Sequence, residues 1–109
     1  MEAEARALEQ EGGKGQMSER PGIEYTVHIW KEGAQFIAHA MPLDVVSSGQ
    51  TPEQARQALD EAVRLFLDTA AKVGTLEEVL EKVGYTLDRG NWISPAWIAT
   101  ERHYAQVGV

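Results

Sequence analysis

The chain has 109 residues, enough for one hydrophobic core and one domain. Seventeen acidic against ten basic residues give a formal charge of -7, and no segment is basic, so nothing here resembles the electrostatic footprint of a DNA or RNA binder. Cysteine is absent, which removes disulfides, thiolate catalysis and cysteine-ligated zinc, and no apolar run approaches the roughly 20 residues of a membrane-spanning helix.

The first 22 residues read as an acidic, glycine-rich tail preceding a single domain over 23–109. MEAEARALEQEGG has neither the basic start nor the apolar stretch of a signal peptide, so a cytoplasmic setting is expected. EGGKGQMSER carries one large apolar residue, Met17, too little to fix a core.

From Ile23 the pattern changes. IEYTVHIWK alternates, with Tyr25, Val27 and Ile29 on one face and Thr26, His28 and Trp30 on the other. A period of two in β-branched and aromatic residues predicts a strand. QFIAHAM is a second strand after a turn at Glu32-Gly33, and Pro42 ends it because proline donates no ladder bond. With that two-residue turn Ile29 faces Phe36, Val27 faces Ala38 and Tyr25 faces Ala40. An odd-length turn would instead flip the second strand and group His28, Trp30, Phe36 and Ala38. LDVVSS supplies a short third strand, stopped by Gly49.

A long helix starts at Thr51. Threonine caps, Pro52 suits the first helical position and Gln54 completes a capping box. Apolar residues recur at three- and four-residue spacing from Ala55 to Val73, whereas Arg56, Asp60, Arg64, Asp68 and Lys72 form a solvated face of alternating sign. Phe66 or Leu67 is expected against Phe36 and Ile29. Gly74 is a left-handed cap, Thr75 and Glu78 form a second capping box, and a short helix ends at Gly84. Tyr85–Asp88 is extended, Asp88-Arg89-Gly90-Asn91 turns, Ser94-Pro95 breaks the chain, and Ile98–Val107 is a last strand. These elements define an α+β fold: a small antiparallel sheet of three or four strands, covered on one face by the long amphipathic helix and a short one.

The uncovered face carries Thr26, His28, Trp30, Ile37, His39 and Met41. A face turned wholly to water is mostly charged or hydroxylated; this one has a tryptophan, an isoleucine and a methionine, residues typical of protein contacts. Three occupants compete for it: a second copy, the protein's own tail or C-terminal segment, and another partner. Self-association into a dimer or tetramer is therefore expected.

Catalytic chemistry finds little footing. His28 and His39 are diagonal neighbours on adjacent strands, but a metal site needs a third ligand, and no carboxylate alternates onto that face between them. A metal-dependent hydrolase stays an alternative on that pair. Ser47, Ser48 and Ser94 lie in ordinary turn-like sequence without a nucleophile elbow. Asp44 is a lone carboxylate at the third strand. Gly12, Gly13 and Gly15 precede no strand–helix unit that could hold phosphate. No cofactor, and no catalytic or metal residue, is expected.

One ordered set of motifs is more specific. Glu32-Gly33 stands at the turn, Pro42-Leu43 follows the second strand, Ser47-Ser48-Gly49-Gln50-Thr51 leads to the helix, and Glu53-Gln54-Ala55 and Glu61-Ala62 sit within it. Over residues 24–72 this succession resembles the N-terminal domain of HicB-type antitoxins, in a stand-alone form without a DNA-binding segment. The resemblance implies a partial ribonuclease-H-like fold lacking the nuclease carboxylates. It also implies a non-catalytic role: binding and blocking a small basic messenger-RNA-cleaving toxin of the HicA type. The other reading is a structural homo-oligomer with no toxin partner.

Overall fold

The computed structural model describes residues 22–108. In chain order they form β1 (Thr26–Glu32), β2 (Gln35–Met41), β3 (Val45–Gly49), α1 (Pro52–Lys72), α2 (Leu76–Lys82), β4 (Thr86–Asp88) and β5 (Asn91–Ile93). β1, β2 and β3 make an antiparallel sheet in sequential order, and β4 and β5 a separate two-stranded hairpin. The small α+β domain expected from the sequence is thus present, with α1 packed on the three-stranded sheet. The tail expected over 1–22 lies outside the described residues apart from Gly22.

The β1–β2 turn has two residues, but they are Gly33 and Ala34, with Glu32 paired to Gln35. Gly33 takes φ +59°, as the first central residue of a glycine-led hairpin turn must. A turn at Glu32-Gly33 would have put the glutamate in that position. The register therefore shifts: Val27 pairs with Ala40, Ile29 with Ala38 and Lys31 with Phe36. Because the shift is an even number of residues, every side chain keeps its expected face. In the β2–β3 loop Leu43 turns into the core, and Asp44 adopts φ +63° while its N–H donates to the Ala40 carbonyl at 2.7 Å.

Small side chains decide how α1 meets the sheet. Ala38 and Ala40 on the inner face and Ala55 on the helix are fully buried, with Leu59 and Val63 packed beside them. At Gly49 an added Cβ would stand 2.5 Å from the Ala55 nitrogen, so helix and sheet end meet where only glycine fits. The start of the helix follows its sequence signals. Thr51 Oγ1 accepts from the Gln54 N–H at 3.0 Å, and the Gln54 side chain returns to the N–H of Gln50, one residue before the cap. Gly74, at φ +81°, follows the last turn. The second capping box does not form: Thr75 makes no side-chain cap bond and its hydroxyl donates instead to the Ala70 carbonyl at 3.4 Å.

Of the two side chains expected against the sheet, Leu67 meets the core and Phe66 does not. Leu59, Val63 and Leu67 step along one line of α1 and meet the core, whereas Phe66 lies about 100° around the helix from Leu67. It is 38% exposed and lines a shallow apolar groove between α1 and α2 with Leu65, Val73 and Val79.

The far end of the domain is closed by Trp92 and Tyr85, both buried. The Glu24 N–H donates to the Trp92 carbonyl, and the Trp92 N–H to that of Gly22, which joins the chain before β1 to β5. Tyr85 Oη donates to the Glu24 carbonyl, and the Glu24 carboxylate accepts from both the N–H and the hydroxyl of Ser94, at 3.1 and 2.7 Å. The expected last strand over Ile98–Val107 does not form. Within one chain its backbone finds no ladder to join, and the segment runs on without regular structure.

Candidate functional site: the open face of the sheet

Opposite α1, β1 and β2 present the six residues singled out by alternation. They form three cross-strand pairs: Thr26 with Met41, His28 with His39, and Trp30 with Ile37. The two histidines are thus directly opposed rather than diagonal. β3 widens the same face through Val46, paired with His39, and Ser48, paired with Ile37. Direct cross-strand partners have Cβ atoms about 4.5–5.5 Å apart, so these eight side chains make one continuous surface.

Its two ends differ. At the Thr26 end the chain's own Trp97 folds over the sheet, with indole Nε1 donating to Thr26 Oγ1 at 3.0 Å and the ring edge-on to His28 at a centroid distance of 5.2 Å. Part of the face is therefore covered by the C-terminal segment, one of the three occupants considered. Beyond that corner it is open: Trp30 remains 40% exposed and Val46 55%. Trp30 is held upright by its Nε1 donating to Glu32 at 2.8 Å and by an edge contact to His39.

The polar groups on this face position side chains. His39 Nε2 meets Asp44 Oδ1 at 2.6 Å. Strand alternation missed that partner because Asp44 belongs to the β2–β3 loop and reaches the face through its left-handed backbone, a conformation aspartate tolerates better than most residues. Among the described residues no three of His, Asp or Glu converge as metal ligands. Trp97 was the other residue not legible in advance; it follows the Ser94-Pro95 break, where no periodicity points to a face.

Two perturbed tyrosines lie on the helix side. Burial, reinforced by the hydrogen bond from its hydroxyl to Asp60, pushes Tyr25 up to about 12. Burial, with the Glu24 charge adding to it, pushes Tyr85 up to about 12. Tyr25 borders a groove of about 800 Å³ along α1 whose rim bears Asp60, Arg64, Asp68 and Lys72. Both hydroxyls donate hydrogen bonds, Tyr25 to Asp60 and Tyr85 to the Glu24 carbonyl.

Comparison of the chain with protein-family models, with curated proteins and with solved structures returned no significant match. Among the described residues no helix is long and apolar enough to cross a membrane.

Proposed function

We propose that this chain is a non-catalytic protein-binding domain whose open sheet face is its contact surface. The observation that carries the reading is a sheet roofed on one side by α1 and bearing Trp30, Ile37, Met41 and Val46 on the other, with Trp30 and Val46 still accessible. Aromatic and methionine side chains bury large areas at modest entropic cost, and they dominate the energetics of protein contacts. Trp30 Nε1 bonds to Glu32 at the strand end and His39 to Asp44 in the β2–β3 loop, which leaves the apolar strip to meet a partner.

The antitoxin-like succession over residues 24–72 gives the specific form of the proposal: capture of a small basic ribonuclease toxin. A body of formal charge -7 favours encounter with a basic partner over nucleic acid. Self-association through the same face is the companion expectation.

Tagged parent protein and a Trp30→Asp variant, expressed in the source cell, test this reading. A small basic protein retained by the parent and lost by the variant is the expected result, and the purified pair should lose the partner's RNA cleavage. Identical sets of bound proteins from parent and variant would contradict it.

A further inference from the structure

Residues 95–108 follow Ser94 as an exposed arm without regular secondary structure. Its root is built: Ser94 is held by Glu24, and Trp97 by Thr26 and His28. Past that root the arm leaves the body, with Ile98, Tyr104 and Val107 exposed by 95%, 97% and 85%. One chain thus presents two unmatched apolar surfaces, a sheet face and an arm anchored at the edge of that face. The arm covers only one corner of its own sheet.

We propose that the arm of one copy, residues 98–107, lies over the open face of a second copy, contacting Trp30, Ile37, Met41 and Val46, and that the exchange is reciprocal. The proposal rests on the open face being a protein-contact surface and names its occupant in the protein on its own, before any other partner is bound. Reach permits it: ten extended residues span up to about 33–36 Å, against a sheet whose three strands lie about 4.8 Å apart. Charge permits it too. Residues 90–109 are neutral, Glu101 against Arg102, whereas residues 22–89 carry an acidic excess, so the arm approaches another acidic body without repulsion. Ile98, Tyr104 and Val107 are the arm's exposed apolar side chains, and the open face of a second copy offers them apolar partners in Trp30 and Val46. Reciprocal exchange closes at two copies. Two arm-on-face contacts also double the area of one, toward the about 800 Å² per partner of a stable interface.

The cysteine-free chain gives a clean test. Full-length Val46→Cys and isotopically labelled Tyr104→Cys chains are mixed at micromolar concentration, oxidised and digested. A mixed disulfide joining position 46 of an unlabelled chain to position 104 of a labelled one, in excess of both symmetric disulfides, is expected. An Ile98→Asp/Tyr104→Asp variant should sediment as a monomer with an unchanged circular dichroism spectrum, since neither side chain packs within its own copy. A monomeric parent, or no excess of the mixed disulfide, overturns the exchange. Dissociation by Trp30→Asp but not by the arm variant overturns it while leaving the face as the contact surface. A dimer that survives both variants overturns the exchange and the face reading together.

Discussion

At the scale of single residues, the core is smaller than its helix suggests. Leu59 is fully buried between α1 and the alanines of β2, whereas Phe66 points toward the α1–α2 groove. Leu59→Ala should therefore cost about 2–5 kcal/mol through the cavity it leaves. Phe66→Ala should cost clearly less, because part of its ring is already in water. Urea melts of the two variants check this order; equal losses would place Phe66 back in the core. The tyrosines make a second residue-scale prediction. With folded values near 12 against about 10 in the unfolded chain, the folded state holds their protons more tightly. Their contribution to stability is fully present below about pH 10 and declines as pH rises from there toward 12. Alkaline melts should show that loss, and Tyr25→Phe should weaken it, while tyrosinate absorbance should rise late for two of the three tyrosines. Early titration of all three would remove the effect. Glu24, which ties the start of β1 to Ser94 and Tyr85, had no signal in the sequence. Its partners stand some 60 to 70 positions away, and no local pattern encodes that meeting.

At the scale of elements, what was legible follows from local physics. Alternation placed β1, β2 and β3, and the cap at Thr51, the proline at the first helical position and the left-handed Gly74 placed α1. The turn lies one residue further on than expected, because strand alternation has no means of choosing between Glu32-Gly33 and Gly33-Ala34. Backbone preference chooses, since only glycine takes the left-handed position freely. Faces are unchanged by that shift through their period of two, so Thr26, His28, Trp30, Ile37, His39 and Met41 still pair across one face. The last strand failed for a different reason. Ile98–Val107 has no strict alternation, only scattered apolar residues at Ile98, Tyr104 and Val107, and a strand needs a neighbour, which the described part of the domain does not supply there. Gly49 carries the prediction proper to this scale. A methyl group at that position meets the backbone of Ala55 and Gln54 rather than a flexible side chain, so the end of β3 and the first turn of α1 must part. Gly49→Ala should destabilise the fold by about 1–3 kcal/mol, the range for overpacking. Calorimetry giving an unchanged melting temperature would mean that the helix start sits further from the sheet.

For the whole molecule, the two sheet faces differ in what covers them. One face is sealed by α1 over a core of alanine, leucine and valine. The other keeps Trp30 and Val46 accessible, with the chain's own Trp97 across a single corner. Among the described residues neither histidine of that face is joined by enough carboxylates to make a metal centre, and each has a side-chain neighbour, His28 under Trp97 and His39 against Asp44. A surface of this kind gains free energy by meeting another chain. Sedimentation velocity of the parent and of Trp30→Asp across a micromolar concentration series tests that claim most directly. The parent should sediment well above its 12.0 kDa chain mass and the variant at that mass, with matching circular dichroism. A parent that stays at the mass of one chain throughout, or a variant that associates equally well, would contradict it.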